Sequence, residues 1–230
     1  MTDFTKLEDR IGVKFNNPDL LLQAMVHRSY INEHPDFKLG HNERLEFLGD
    51  AVLEIVVTEH LYDNYPDKPE GDLTDWRASL VNSKMLADVA KKIELEKNLY
   101  LSKGESKDAN TKARQYILAN AVEALIGAIY LDQGIKPAKR FINQEIIFNL
   151  KHILDNKLYM DPKSKFQEKS QDLYNITPHY EVLNESGPDH ERSFEVGIYL
   201  KDELIAKGAG QSKHEAQVSA AEAALEKKGW

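Results

Sequence analysis

Residues 41–54 read HNERLEFLGDAVLE, and this stretch combines the apolar character of a buried helix with several acidic side chains. At 3.6 residues per turn, Glu46 and Asp50 project from the same helix face. Like charges at that spacing cost an isolated helix roughly 0.2–0.5 kcal/mol, and Gly49 in the interior costs about 1 kcal/mol relative to alanine. A helix selected for stability alone would avoid these residues, so the acids need a further explanation.

The composition indicates an ordinary globular protein. The chain has 230 residues and is 41% hydrophobic, which is enough for one large or two modest domains. It contains no cysteine, which excludes disulfides and thiolate metal sites. The start, MTDFTKLEDR, does not have the pattern of a signal peptide, and no apolar run approaches the ~20 residues that span a bilayer. We therefore expect a soluble, cytoplasmic protein with no membrane partner.

The net charge of −8 argues against a strongly basic nucleic-acid binder. Dividing the chain does not change this, because residues 161–230 contain nine Lys and Arg against thirteen Asp and Glu, a net charge of −4. Any nucleic-acid site must therefore depend on the local placement of cations.

The periodicity of apolar residues predicts an all-α domain over residues 1–152 and a linker over 153–161. Within the first domain we expect helices over 5–11, 18–29, 43–63, 71–91, 111–131 and 136–154. Residues 162–230 predict a short helix, three alternating strands and a Ser-capped, alanine-rich helix. This α-β-β-β-α order is typical of a small α+β domain with its helices on one face of an antiparallel sheet.

A second set of polar residues lies in RQYILANAVEALIGAIYLDQG, residues 114–134. Asn120 and Glu123 are three residues apart on an otherwise apolar helix, so two helices with paired oxygen ligands could meet at one point. Such ligands suit Mg²⁺, and two ions about 4 Å apart can hold both reacting oxygens of a phosphodiester. The alternative is that each acid only reaches solvent at the domain edge, and residue spacing leaves both interpretations open.

Longer motifs carry a resemblance to a known family. NERLEFLGDAVLE resembles the signature of the ribonuclease III family, and EGDLTDWRASLVNSKMLADVA and ILANAVEALIGAIYLD are similar to its downstream blocks. The last 70 residues resemble a double-stranded-RNA-binding domain. The resemblance implies Mg²⁺-dependent hydrolysis of double-stranded RNA to 5′-phosphate and 3′-hydroxyl ends. From the affinity order of divalent ions we expect that Mn²⁺ can substitute for Mg²⁺. The resemblance also implies a homodimer that processes ribosomal and messenger RNA precursors.

The resemblance assigns roles to individual residues of the first domain. It places the metal ligands on Glu46, Asp50, Asn120 and Glu123, and the catalytic role on Asp50 and Glu123. Asn120 departs from the family, which has aspartate at this position. Glu43 and Glu70 match accessory acids of the family's catalytic valley. Phe47 matches the aromatic residue that inserts into the partner subunit, and the alternative is that it is an ordinary core residue.

The C-terminal domain offers a phosphate site in the segment GAGQSKHEA. Backbone NH groups at the start of a helix, with Ser212, Lys213 and His214 beside them, favour an anion. The family commonly has two lysines followed by a further basic residue, whereas this chain has Lys213, His214 and Gln217, which predicts weaker phosphate binding. The resemblance implies minor-groove contacts from Gln167, Glu168 and His190.

Two other functions stay open from the sequence. The first is a catalytically impaired double-stranded-RNA-binding protein, which Asn120 supports. The second is a helical interaction protein without an RNA role, which the recurring acids and the GAGQSK helix start disfavour. GAGQSK does not have the residue order of a P-loop, and the chain has no HExxH motif.

Overall fold

Helices make up most of the first 159 positions, and a small helix-flanked sheet follows them. The computed structural model describes residues 3–107, 111–187 and 192–230, and the chain divides into the units Met1–Tyr159 and Met160–Trp230. The helices of the first unit are α1 (Thr5–Ile11), α2 (Pro18–Ala24), α3 (Arg28–Glu33), α4 (Glu43–Asn64), α5 (Glu70–Val81), α6 (Ser83–Lys92), α7 (Lys112–Gln133), α8 (Ile135–Glu145) and α9 (Leu150–Asp155). Short 3₁₀ turns lie at Leu95–Asn98, Glu105–Lys107 and Ile147–Asn149.

Three of the predicted helices are interrupted. The segment 71–91 breaks at Asn82, whose backbone is extended and whose side chain accepts a hydrogen bond from the Met85 amide at 2.9 Å. Asparagine favours such a cap over a continuous helix because its side chain satisfies a free amide of the next helix. The segment 18–29 ends its first helix at Ala24 because the chain then pairs with Tyr100 through a bridge at Val26. The segment 136–154 contains the 3₁₀ turn at Ile147–Asn149.

The packing of α4 against α7 is the central contact of the first unit. Gly49 of α4 and Gly127 of α7 face each other, and both helices have buried side chains on either side of this point. A Cβ on Gly49 would overlap the backbone carbonyl of Glu123, and a Cβ on Gly127 would overlap that of Leu45. The two backbones therefore touch, which explains why glycine occupies the interior of both helices.

We predict that Gly49→Ala destabilises the first unit by at least about 3 kcal/mol, because the methyl group forces two packed backbones apart. Gly71→Ala is the matched control. Gly71 lies in the first turn of α5, and a methyl group there would meet no atom within 4 Å, so alanine should be neutral or stabilise by up to ~1 kcal/mol. Urea unfolding followed by circular dichroism measures both changes. Equal stability of the two variants would contradict the close crossing.

The second unit has the predicted element order. It consists of α10 (Pro162–Tyr174), β1 (His179–Ser186), β2 (Ser193–Leu200), β3 (Glu203–Gly210) and α11 (Lys213–Lys228). The strands form an antiparallel sheet in the order β1-β2-β3, and α11 packs on β2 and β3 with α10 beside it. Phe166, Ile198 and Ala220 are fully buried between the helices and the sheet. The predicted fold class, an all-α domain followed by a small α+β domain, is confirmed.

The hydrophobic helices of the protein are core helices. In the parts of the chain that the structure describes, no helix is both long enough and apolar enough to cross a membrane. The apolar positions of α4 and α7 instead bury each other.

Candidate active site and RNA-binding surface

The crossing of α4 and α7 brings the acids of the two helices together. Glu46 and Asp50 flank Gly49, and Glu123 lies one turn before Gly127. Glu123 is close enough to Glu46 and Asp50 for their charges to raise its pKa, and Asn120 donates a side-chain hydrogen bond to Glu46. The two polar pairs predicted on separate helices therefore meet in the folded chain.

This cluster of like charges is electrostatically costly. Burial, together with the charges of Asp50 and Glu46, raises the pKa of Glu123 to about 8. Burial also raises the pKa of Glu46, as does the charge of Glu43, while the hydrogen bond from Asn120 acts in the opposite direction. Both shifts favour the protonated carboxyl groups, and a cation placed at the crossing would favour their ionised forms instead.

A further acid, Glu54, belongs to the same cluster, and the sequence analysis assigned it no role. Its charge also raises the pKa of Glu123. Arg77 of α5 pairs with it, with Nε 3.0 Å from the Glu54 carboxylate, and donates a second bond to Thr58 Oγ1 at 3.0 Å. Residue spacing could have placed Glu54 in the cluster, since it follows Asp50 by four residues and lies on the same face of α4.

The two accessory acids lie in different places. Glu43 lines a cavity of about 530 Å³ together with Glu46 and Asn120. Glu70 begins α5 and lines a separate cavity of about 670 Å³ near the C-terminal end of α4, where Thr74 donates a hydrogen bond to it at 3.0 Å. Within one chain, the structure therefore brings Glu43 to the acid cluster but not Glu70.

The arrangement of the acids does not by itself define a metal cage. Among the described residues, no group of three or more His, Asp or Glu side chains is arranged to hold a metal ion. The ligand roles of Glu46, Asp50, Asn120 and Glu123 therefore stay a prediction, supported by donor type and charge.

Phe47 is exposed on the surface of α4. Its side chain is 81% accessible to solvent, although its neighbours Leu45 and Gly49 are buried. Ile55 and Tyr62 of the same helix are exposed as well. An ordinary core role for Phe47 is excluded, and α4 presents an apolar surface to the outside of a single chain.

The predicted phosphate site lies at the start of α11. Ser212 caps this helix, its Oγ accepting a hydrogen bond from the Glu215 amide at 3.1 Å, and Lys213 and His214 are exposed in the first turn. On α10, Gln167 is exposed and Glu168 is half-buried. His190 lies outside the described residues.

Lys163 is a cation of this surface that the sequence analysis missed. It lies in the first turn of α10, and its ammonium group donates a hydrogen bond to Gln217 Oε1 of α11 at 2.7 Å. Gln217 stands one helical turn after Lys213, where the family commonly has a basic residue. Lys163 therefore brings positive charge to this position from a neighbouring helix, a placement that only the packing of α10 on α11 reveals.

Comparison with known proteins gives the class of this chain. Residues 17–150 match the family model described as Ribonuclease-III-like, and residues 162–228 match the double-stranded RNA binding motif. Ribonuclease 3 of Carboxydothermus hydrogenoformans is 48% identical over 96% of this chain and 93% of its own length. Ribonuclease 3 of Dehalococcoides mccartyi is 42% identical over 98% of this chain and 95% of its own length.

A solved structure agrees with these relatives. The nuclease domain of ribonuclease III from Campylobacter jejuni, described with a region involved in dimer formation, is 39% identical with a TM-score of 0.58. The match covers 64% of this chain and 98% of that domain. The fold and the two matched domains define a double-stranded-RNA-specific endoribonuclease. The chain belongs to the ribonuclease III family, which uses divalent metal ions.

We predict that Lys163→Ala weakens binding of all RNA duplexes alike, by roughly fivefold (~1 kcal/mol), and makes the salt dependence shallower by about one ion. Lys213→Ala should behave in the same way. Lys228→Ala, at the opposite end of α11, is the control and should leave both quantities unchanged. Fluorescence anisotropy at several salt concentrations, without divalent metal, measures them. An unchanged salt dependence for Lys163→Ala would show that this lysine does not contact phosphate.

Proposed function

We propose that this endoribonuclease cleaves duplex RNA by Mg²⁺-dependent phosphodiester hydrolysis, producing 5′-phosphate and 3′-hydroxyl ends. Its substrates would be structured precursors of ribosomal and messenger RNA. The observation that carries the proposal is the meeting of Glu46, Asp50 and Glu123 at the α4–α7 crossing, in a chain that also has a double-stranded-RNA-binding motif. The acids would bind the cation, and the double-stranded-RNA-binding motif would bind the duplex.

The residues of the cluster fit a hard divalent cation. Carboxylate and amide oxygens are the ligands that Mg²⁺ prefers, and Mn²⁺ accepts the same donors. Glu46, Asp50, Glu123 and the amide oxygen of Asn120 would hold the metal. Burial, together with the charges of Asp50, Glu46 and Glu54, raises the pKa of Glu123 to about 8, and a bound cation would favour the ionised form of this carboxyl group. When bound, Mg²⁺ would supply an activated water and stabilise charge on the phosphate oxygens.

Asn120 has a specific role in this arrangement. Its amide donates a hydrogen bond to Glu46, which favours the ionised form of that carboxyl group. The amide oxygen stays available as a hard ligand. Asparagine therefore keeps the ligand atom of the family's aspartate while lacking its charge, and this should lower metal affinity without removing the site.

The RNA would be held by the second unit. Lys213, His214 and the amides capped by Ser212 would bind phosphate, with Lys163 beside them. Gln167, Glu168 and His190 would contact the minor groove, through which proteins recognise A-form RNA mainly by shape. These contacts carry no sequence preference, so the choice of cleavage site must come from elsewhere in the protein.

A second function, RNA binding without cleavage, is favoured by one observation, the neutral Asn120. Both functions share the duplex-binding surface and differ only at the acid cluster. A cleavage assay on one RNA therefore separates them.

We expect long duplex RNA incubated with the protein and Mg²⁺ to give short duplexes with 5′-phosphate ends. Asn120→Asp should lower the Mg²⁺ concentration for half-maximal cleavage about tenfold, because it adds a charged ligand (~1.4 kcal/mol). Glu123→Gln, which removes a charged ligand, should raise it or abolish cleavage. Denaturing gels over a Mg²⁺ titration measure all three proteins.

Two results would overturn parts of this proposal. If the unmodified chain binds duplex RNA but cuts it in neither Mg²⁺ nor Mn²⁺, the binding function is correct. If Asn120→Asp leaves the Mg²⁺ requirement unchanged, Asn120 is not a ligand.

We also propose that the protein is a homodimer formed through α4. Phe47 and Tyr62 are about 22 Å apart along the helix at 1.5 Å per residue, with exposed Ile55 between them. If two α4 helices pair antiparallel about a twofold axis near Ile55, Phe47 of one protomer meets Tyr62 of the partner subunit. Tyr62 lines the 670 Å³ cavity, which is large enough for a phenyl ring. The same pairing would bring Glu70 of the partner subunit, which also lines this cavity, towards Glu46.

We expect Phe47→Glu to convert the dimer to a monomer and to abolish cleavage of both strands, because a carboxylate cannot be buried in an apolar contact without a partner. Phe148→Glu is the matched control, since Phe148 is 76% exposed on the 3₁₀ turn before α9, away from α4. Sedimentation equilibrium measures the oligomeric state. A dimer that survives Phe47→Glu would contradict the proposed interface.

A further inference from the structure

The cavity of about 530 Å³ extends from the acid cluster to a surface that the hydrolysis itself does not require. Glu46 and Asn120 line it, and α3 contributes Arg28 and Asn32 to the same lining. Tyr116 of α7 completes this part of the lining. The cavity thus joins the predicted position of the scissile phosphate to an aromatic, a cationic and an amide side chain.

Tyr116 is placed by the same helix that carries the acids. It precedes Asn120 by four residues, so both side chains lie on one face of α7. The side chain is 48% exposed, although most of the helix from Ile117 onward is buried. A flat aromatic ring one helical turn from a phosphate site is positioned to stack on a nucleotide base.

Arg28 brings positive charge into an acidic region. Its Nη1 lies 3.5 Å from the Glu43 carboxylate, but both side chains are largely exposed, so this ion pair is weak and readily rearranged. The guanidinium can therefore turn to a phosphate group at the cavity mouth. Asn32, exposed at the end of α3, offers both a donor and an acceptor to the polar edge of a base.

We propose that this cavity is a subsite for one unpaired nucleotide next to the scissile phosphate. The base stacks on Tyr116, Asn32 contacts its polar edge, and Arg28 binds its phosphate. A volume of about 530 Å³ holds a nucleotide, whereas a paired base stays in the duplex stack and cannot enter. The inference rests on the proposed function, because Glu46 and Asn120 mark the position of the scissile phosphate.

The subsite gives the enzyme a means of choosing its cleavage position. The second unit binds duplexes by shape, so it selects no particular bond. A mismatch or bulge that frees one nucleotide beside the scissile bond would gain stacking on Tyr116 and orient that bond at the acids. RNAs with such a nucleotide should therefore be cut faster, and at that position.

The experiment uses a series of short duplexes, each of which has one unpaired nucleotide at a different position. A fully paired duplex is the reference. For the duplex of the series that the unmodified protein cuts fastest, we take the ratio of its cleavage rate to that of the paired duplex. Tyr116→Ala should lower this ratio about tenfold, which corresponds to the low end of the free energy of base–aromatic stacking. Tyr116→Phe, which keeps the ring, should preserve the ratio. Tyr174→Ala, which removes a tyrosine of 49% exposure from the second unit, should leave both rates unchanged.

Binding of the same RNAs in the presence of a chelator separates the subsite from the cleavage activity. The RNA with the unpaired nucleotide should bind about tenfold more tightly than the paired RNA. Tyr116→Ala should remove this difference in affinity. If the unmodified protein cuts neither RNA, the proposed function fails, and the binding ratios still decide the subsite. Equal effects of Tyr116→Ala on both RNAs, or loss of the ratio in Tyr116→Phe, would overturn the subsite.

Discussion

The contact of two helix backbones at Gly49 and Gly127 determines the rest of the first unit. Because neither residue has a side chain, α4 and α7 approach until a Cβ on either would overlap the carbonyl of the opposite helix. Such an approach leaves no freedom in how the helices are rotated or shifted against each other. Glu46, Asp50 and Glu123 lie within a turn of the contact, so their relative positions follow from it. A site for metal ions needs this rigidity, because its ligands must be held before the ion binds.

The close crossing of α4 and α7 has an electrostatic cost. Burial and the charges of the neighbouring acids raise the pKa of Glu123 to about 8. The chain moderates this cost without removing the site. Asn120 replaces a charge with a hydrogen bond to Glu46, and Arg77 pairs with Glu54 at 3.0 Å. A divalent cation would balance the charge of the remaining carboxylates. The electrostatic cost of the acid cluster and its proposed catalytic role therefore have the same origin.

The second unit of this acidic chain gathers several cations in one place. Its net charge of −4 covers the whole unit, whereas the proposed phosphate surface depends on a few groups at the start of α11. Lys163 reaches Gln217 from α10 and supplies there a charge that the sequence of α11 does not contain. Screening limits the effect of distant acids to about 10 Å at 0.1 M salt, so local cations determine phosphate affinity.

The sequence by itself determined the helical first domain, the α-β-β-β-α second domain and the acidic positions Glu46, Asp50 and Glu123, because apolar periodicity and motif spacing are local properties of the chain. It could not place the breaks at Ala24 and Asn82, which depend on a bridge and a cap. Glu54 was assigned no role, although it follows Asp50 by four residues on the same helix. Only the tertiary structure decided that Glu43 joins the acids while Glu70 does not, that Phe47 is exposed, and that Lys163 lies beside Gln217. Each of these facts depends on how segments that are distant in the sequence pack against each other. Residue spacing along one helix gives no information about that packing.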